Sequence, residues 1–305
     1  MKIAVMGTGG MGGYYGGLLA EAGEDVTFIA RGGHFDAIKQ NGLTLIGDTT
    51  THKNFPVAVT NCCTEMDFVD VVLFCVKLYD IESAANQIRP LVGPDTMVIS
   101  VLNGVDGPER IENVIGPGHT IGGAAYASAM IDEPGVIRFK STGGRLKIGE
   151  LDGSFSSRLK AFKTICDNTE FECELTDNIV GGLWEKFILL ATNSGLSCLC
   201  RRPVGEIYND PDLLGLAKEL MAEVRTLAIR KGISIDPNII DKSVAWSQSL
   251  PPDLYASMYH DLVAGKRMEV EGMSGHVIQL GRELGVKTPH HLTVYGGLKF
   301  LKDGI

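Results

Sequence analysis

The sequence predicts an α/β fold with two domains, the second of which is entirely helical. Apolar runs of strand length recur through residues 1–176, and turns containing glycine or proline separate them. From residue 177 onward, apolar residues recur at helical spacing as far as the C-terminus. We therefore expect domains at 1–176 and 177–305. No flexible Ser/Gly linker separates them, so we expect them to share an interface and form a cleft.

A glycine-rich stretch, Met1–Gly12, organises the first domain. An apolar strand leads into the pattern G-x-G-x-x-G, which precedes a predicted helix at Tyr14–Ala22 and a second strand at Val26–Ala30. This β-α-β order is the context that a dinucleotide-binding fingerprint requires, with the pyrophosphate over the helix N-terminus. The alternative is an ordinary glycine-rich turn in a chain with 38 glycines. The residues predicted to line the cofactor here are Gly7, Thr8, Gly9, Gly10, Met11 and Gly12.

The end of the second strand indicates which dinucleotide is bound. Arg31 follows this strand, where a carboxylate would bind the ribose 2′-hydroxyl of NAD and an arginine can pair with the 2′-phosphate of NADP. Residues 31–34, Arg-Gly-Gly-His, supply a cation and backbone room without a carboxylate. We therefore predict NADPH, the alternative being that Arg31 is a solvated surface residue.

Two further strands are predicted to place polar side chains at the cofactor edge of the sheet. The apolar runs 69–76 and 97–102 end in Lys77 and in Asn103-Gly104, respectively. Ligands of open α/β sheets bind beyond the carboxyl ends of the strands, which favours a functional role for both residues. Either residue alone is also compatible with a capping or turn position.

The remaining elements follow from apolar periodicity and turn residues. Strands are expected at 43–46 and 57–60 as a meander, and at 120–130, 136–140, 146–149 and 171–175. Turns are expected at Pro134-Gly135 and Gly143-Gly144. Helices are expected at 81–92, 155–166, 179–200, 211–231, 237–249, 253–266, 269–284 and 289–301.

Composition narrows the functional classes. Of the 305 residues, 44% are hydrophobic and 21% are charged, and the net charge of −9 argues against a nucleic-acid partner. No apolar run is long enough to span a membrane, so we expect a cytoplasmic protein. The seven cysteines and seven histidines lack metal-ligand spacing, which indicates reduced thiols and no metal. The long helices 211–231 and 269–284 have apolar faces that fit either a homodimer or the core.

Three separated stretches give the chain its resemblance to a known family. These are the Gly7–Gly12 loop, Lys77 with Asn103-Gly104, and the helical segments with Leu183-Trp184-Glu185-Lys186-Phe187 and Ser257-Met258 through Arg267-Met268-Glu269-Val270-Glu271. In their order and spacing they resemble the ketopantoate reductases, NADPH-dependent enzymes that reduce a 2-oxo acid in pantothenate synthesis.

The resemblance implies a role for each matching side chain. Lys186 is implied to be the general acid that protonates the carbonyl oxygen as hydride arrives, and Glu269 to bind cofactor or substrate and to balance the lysine. Ser257 is implied to bind the substrate carboxylate, and Asn103 to lie between the nicotinamide ribose and the substrate. The alternatives are a surface lysine for Lys186 and a solvated carboxylate at a helix start for Glu269.

The sequence departs from the family pattern at positions where family members usually have asparagine. The replacements are Leu190, Ser194, Val204 and Leu254. Asn193, seven residues after Lys186, returns to within about 20° of the lysine direction on a helix, so Asn193 and Ser194 are the remaining polar candidates for the substrate. The pattern therefore leaves open a less polar 2-oxo acid or a catalytically silent NADPH sensor. A β-hydroxyacid dehydrogenase, running chiefly in the oxidative direction, is a further alternative because it shares the architecture.

Overall fold

The computed structural model describes residues 1–48, 53–140 and 144–304. The chain divides into two compact units, of which the first comprises Met1–Leu102 and Asp106–Ile179. The second comprises Val180–Ile305 together with the three residues Asn103–Val105. The expected turn at Gly143-Gly144 includes Gly143, and this residue lies outside the described part of the chain.

An eight-stranded sheet forms the centre of the described part of the first unit. Its strands are β1 (Lys2–Met6), β2 (Asp25–Ile29), β5 (Ala58–Thr60), β6 (Val71–Phe74), β7 (Met97–Ser100), β8 (Thr120–Tyr126), β11 (Arg145–Glu150) and β12 (Glu172–Leu175). Their order is β12-β11-β8-β7-β6-β1-β2-β5, and every neighbouring pair is parallel except β11 with β8. The predicted α/β class is confirmed.

A smaller four-stranded sheet corrects two expectations. It contains β3 (Leu43–Gly47), β4 (Lys53–Phe55), β9 (Ala129–Glu133) and β10 (Val136–Phe139) in the order β4-β3-β10-β9. A single strand over 120–130 was the wrong expectation, because the chain passes from β8 in one sheet to β9 in the other. The meander was also wrong, since β5 runs parallel to β2 at the edge of the large sheet.

Helices of the first unit connect these strands. They are α1 (Gly10–Glu21), α2 (Gly32–Asn41), α3 (Ile81–Ile88), α4 (Gly107–Ile115) and α5 (Ser157–Cys166). Helix α1 packs very close to the sheet, because a Cβ added to Gly16 would lie 2.6 Å from Val5 Cγ2 and 2.8 Å from Phe28 Cε1. This is the close helix–strand packing that a glycine-rich first helix permits.

The second unit is helical, which confirms the predicted class of the C-terminal domain. Its elements are α6 (Ile179–Cys200), α7 (Val204–Asn209), α8 (Pro211–Arg230), α9 (Ile239–Ser249), α10 (Ser257–Val263), one turn of π-helix (Glu271–Gly275), α11 (His276–Leu284) and α12 (Pro289–Leu298). Helix α6 has the predicted bounds. The helix expected at 253–266 is shorter, and the one expected at 269–284 begins as the π turn and is α-helical only from His276.

Candidate active site

Backbone sterics explain the glycines that follow β1. Gly7 has a φ of +91°, and a Cβ there would lie 2.8 Å from the carbonyl oxygen of Cys75. A Cβ on Gly12 would lie 2.2 Å from the Gly7 carbonyl oxygen, and one on Gly10 would lie 2.2 Å from that of Ala129. These positions therefore accept only glycine without movement of the backbone.

Gly9 differs from these three, because a Cβ at this position would meet no protein atom within 4 Å. Gly9 is the N-cap of α1, and it leaves the start of the helix without a side-chain cap or an acidic residue in the first turn. The first backbone N–H groups of α1 therefore have space and positive potential before them. This arrangement fits the pyrophosphate of a dinucleotide.

Thr8 fixes the loop to the sheet. Its side chain is buried, and its hydroxyl donates to the Ile29 carbonyl at 3.0 Å, at the end of β2. His34 is a second polar residue of this region that sequence reasoning assigned no role. The Nδ1 atom of His34 accepts a hydrogen bond from the Gly135 backbone N–H at 3.0 Å, and burial lowers the pKa of His34.

Arg31 and Lys77 follow β2 and β6, as the sequence predicted. The Arg31 side chain is 87% exposed, and its Nη2 atom pairs with Asp80 Oδ2 at 3.0 Å. The Asp80 backbone N–H donates to the Lys77 carbonyl at 2.9 Å, so the turn after Lys77 holds the carboxylate beside Arg31. Arg31 is the N-cap of α2, which begins at Gly32.

A buried lysine lies in the second unit. Lys186 on α6 is 9% exposed, and its Nζ atom donates to Asn103 Oδ1 at 3.3 Å. Burial lowers the pKa of Lys186 to about 8, and the negative charge of Glu269 opposes that change. Glu269 is itself 4% exposed. The structure therefore brings together the three side chains that the resemblance implied around the reacting carbonyl.

A lysine with a pKa of about 8 is suited to proton donation near neutral pH. It remains mostly protonated at pH 7, yet it loses its proton far more readily than a solvated lysine. Leu183, Trp184 and Phe187 on the same helix are also buried, so the packing of α6 against its neighbours removes water from this lysine.

Asn193 lies about two helical turns after Lys186 on α6, and its side chain already has two hydrogen-bond partners in the protein. Its Oδ1 atom accepts from the Tyr208 hydroxyl at 2.6 Å, and its Nδ2 atom donates to Ser247 Oγ at 3.3 Å. Sequence reasoning missed Tyr208 and Ser247 because they come from α7 and α9. The substrate role of Asn193 stays a prediction, as does that of Ser194, which is buried on α6.

The residues that replace family asparagines include two neighbours in space. The Val204 backbone N–H donates to the Leu254 carbonyl at 2.8 Å, which joins the start of α7 to the segment before α10. Leu190 is half-buried on α6. Ser257 is exposed as the first residue of α10, so its predicted carboxylate-binding role is compatible with its position.

Within 1–48, 53–140 and 144–304, no group of three or more His, Cys, Asp or Glu side chains is arranged to hold a metal ion. His52 is outside these ranges. None of the helices in these ranges is both long enough and apolar enough to cross a membrane. The seven cysteines are free thiols.

Comparison with known proteins gives a consistent family. The family model described as "Ketopantoate reductase PanE/ApbA" matches residues 3–153, and the model of its C-terminal domain matches residues 178–302. The chain is 30% identical to a 2-dehydropantoate 2-reductase of Pyrococcus horikoshii over 98% of this chain and 97% of the relative. It is 27% identical to an uncharacterised oxidoreductase of Bacillus subtilis, with 98% of each chain covered.

A solved structure agrees with these relatives. The crystal structure of a PanE/ApbA family ketopantoate reductase from Ralstonia eutropha JMP134 has a TM-score of 0.91 to this chain and 27% sequence identity. The match covers 99% of this chain and 98% of the other.

Proposed function

The chain belongs to the ketopantoate reductase family of oxidoreductases acting on CH–OH groups, and we propose that it uses NADPH to reduce a 2-oxo acid to the 2-hydroxy acid. The observation that carries the proposal is the buried Lys186, bonded to Asn103 and balanced by Glu269. Reduction of a ketone builds alkoxide charge on its oxygen, and this charge needs a proton donor in a water-poor site.

Each of these three side chains has a task in the proposed reaction. NADPH supplies the hydride when it is bound. Lys186 Nζ donates a proton to the carbonyl oxygen and stabilises the charge that develops there. Asn103 Oδ1 orients the ammonium group, and Glu269 keeps Lys186 charged against the cost of burial. Asn103 and Glu269 are also proposed to contact the cofactor.

We assign cofactor binding to residues 1–176, and substrate binding and catalysis to residues 177–305 together with Asn103. The loop Gly7–Gly12 fits a pyrophosphate, since Gly9 leaves open space before the uncapped start of α1. Arg31 is proposed to pair with the 2′-phosphate in place of Asp80, and Lys77 to line the same cofactor.

The first substrate to test is 2-dehydropantoate, the substrate in the names of several relatives. It would place the reaction in pantothenate biosynthesis, with Asn103, Asn193, Ser194 and Ser257 as substrate ligands. A less polar 2-oxo acid is the second candidate. It is favoured because Val204 and Leu254 are apolar neighbours and because Asn193 already bonds to two protein groups.

The test is a steady-state assay of NADPH oxidation, followed by the loss of nicotinamide absorbance. The panel contains 2-dehydropantoate, unbranched 2-oxo acids and aryl 2-oxo acids. Turnover of at least one acid supports the proposed reaction, and the highest kcat/KM identifies the substrate class. Absence of turnover with every acid would contradict the proposal and favour a catalytically silent NADPH-binding sensor.

A further inference from the structure

The chain enters helix α11 through the π turn, which begins two residues after Glu269. The Gly275 backbone N–H donates to the Val270 carbonyl at 3.0 Å, a five-residue bond, whereas the Met273 N–H donates to Glu269 at the usual four-residue spacing. A π turn inserts one extra residue, which changes the direction of later side chains by about 100° relative to earlier ones. The π turn therefore lies between Glu269 and α11 and sets the direction from which the chain enters that helix.

A buried histidine of α12 contacts this π turn. His291 is 0% exposed, its Nδ1 atom lies 3.2 Å from Ser274 Oγ, and its Nε2 atom lies 3.2 Å from the Leu220 carbonyl oxygen. Because a carbonyl can only accept, we assign the proton to Nε2, and Nδ1 then accepts from the Ser274 hydroxyl. Burial lowers the pKa of His291 to about 4, which keeps the ring in this neutral form near neutral pH.

A buried carboxylate on α8 fixes His291 in turn. Glu223 accepts from the backbone N–H groups of His290 at 2.8 Å and His291 at 3.0 Å, at the start of α12. It also bonds to the His290 ring at 2.8 Å. These N–H groups lie in the first turn of α12 and have no partner within that helix, so Glu223 caps the helix. The cap fixes the position of His291 beside the π turn.

The outer side of the π turn is held to α12 and to the residues that follow that helix. Glu271 Oε1 accepts from the Tyr295 hydroxyl at 2.9 Å and from Lys302 Nζ at 2.8 Å. On the inner side, Ser274 Oγ lies 3.7 Å from the position of a Cβ built on Gly195 of α6, the helix that carries Lys186. The turn that follows Glu269 is therefore fixed on both sides.

We propose that His291, through Ser274, is a positioning residue that holds the π turn and thereby the Glu269 carboxylate in place near Lys186. The catalytic meaning of this role rests on the proposed reductase function. Without the His291–Ser274 bond, the π turn loses the side-chain contact that holds its inner side to α12. The Glu269 carboxylate then loses the orientation in which its charge raises the pKa of Lys186.

The test measures the pKa of Lys186 directly, by NMR titration of protein with ¹³Cε-labelled lysine, with the K186R spectrum identifying the resonance. Ser274→Ala is expected to lower the pKa of Lys186, in the same direction as Glu269→Gln. Ser243→Ala, which removes another buried serine hydroxyl on α9, is the matched control and is expected to leave this pKa unchanged. His291→Gln retains one donor and one acceptor and is expected to preserve the wild-type value.

An unchanged pKa of Lys186 in a folded Ser274→Ala protein would overturn the inference, and so would an equal decrease in Ser243→Ala. If Ser274→Ala does not fold, Tyr295→Phe loosens the exposed side of the same turn, and an unshifted Lys186 there overturns the inference as well. The titration needs no substrate. If the reductase assay fails with every acid, the proposed catalytic role of these residues is contradicted. The titration of Lys186 still decides whether His291 and Ser274 position Glu269.

Discussion

The glycine loop before α1 and the cluster of Lys186, Asn103 and Glu269 in the helical unit are built in opposite ways. The loop works through the absence of side chains, since Gly7, Gly10 and Gly12 face backbone atoms and Gly9 faces open space. The cluster works through the surroundings of one side chain, because burial and the charge of Glu269 together set the pKa of Lys186. The loop joins consecutive residues, whereas the bond from Lys186 to Asn103 spans 83 positions.

The two constructions tolerate different changes. A site made by backbone sterics is insensitive to pH but fails when a single methyl group is added. A site made by desolvation depends on pH and on the apolar residues around it, and it responds to changes that leave the lysine in place. Each of the following changes tests one side of this contrast.

The largest effect is expected for Lys186→Ala. Loss of the proton donor should lower kcat by about 10² to 10⁴-fold, the usual contribution of a general acid, while NADPH still binds. Steady-state kinetics and NADPH titration measure the two properties separately. Lys218→Ala, at an exposed lysine on α8, is the control. Near wild-type turnover in Lys186→Ala would remove Lys186 from the mechanism.

The second change separates two glycines of the loop. Gly9→Ala should weaken NADPH binding about tenfold or more, roughly 1.4 kcal/mol, with an unchanged free energy of unfolding, because its Cβ would meet only ligand. Gly12→Ala should also destabilise the fold, by about 1–3 kcal/mol, because its Cβ meets the Gly7 carbonyl.

Fluorescence titration with NADPH and chemical denaturation measure these two quantities. Gly215→Ala on α8, where a Cβ meets open space, should stabilise the protein by about 1 kcal/mol and leave NADPH affinity unchanged. Equal NADPH affinity in Gly9→Ala and wild type would show that the cofactor does not approach this loop.

A smaller effect is expected for Arg31→Ala. The side chain is 87% exposed and its ion pair with Asp80 is screened by solvent, so loss of the 2′-phosphate contact should raise the Kd for NADPH by about fivefold, roughly 1 kcal/mol. The Kd for NADH should change little. Arg89→Ala, at another exposed arginine of the first unit, provides the comparison. An equal loss of affinity for both dinucleotides would refute the predicted 2′-phosphate contact.

The smallest effect is a displacement of the pH profile. The acid must be protonated to act, so kcat/KM for reduction should be level below the pKa of Lys186 and should fall above about pH 8. Glu269→Gln removes the charge that raises this pKa, so the alkaline limb should move to lower pH. Glu219→Gln, an exposed carboxylate on α8, should leave the limb in place. A limb that moves to higher pH in Glu269→Gln would contradict the assignment.

The features that could be predicted most reliably from the sequence are those that depend on residues close together in the chain. The strand, glycine loop and helix at the N-terminus follow from local sterics, and α6 follows from its long apolar periodicity. Helix α2 was missed because Gly32 and Gly33 resemble a turn, although Phe35 and Ile38 then repeat at helical spacing. The passage from β8 to β9 was missed because the choice of sheet is made by distant strands.

The candidate site shows the same limit. Resemblance to a family suggested Lys186, Asn103 and Glu269, but the burial that lowers the pKa of Lys186 depends on how the helices pack. No local pattern placed Tyr208 and Ser247 around Asn193, since each belongs to a different helix. The π turn after Glu269 was likewise invisible, because the buried residues Val270, Met273 and Val277 recur at the spacing of an ordinary α-helix.

The place of Asn103 in the chain has a consequence for biosynthesis. Residues 103–105 belong to the helical unit, although they are made within the sequence of the first unit. At ~5–20 residues per second, Asn103 is synthesised about 4–17 s before its partner Lys186. A helical fragment produced alone from residue 180 would therefore lack Asn103, and the gene cannot be split at this boundary without separating Asn103 from Lys186.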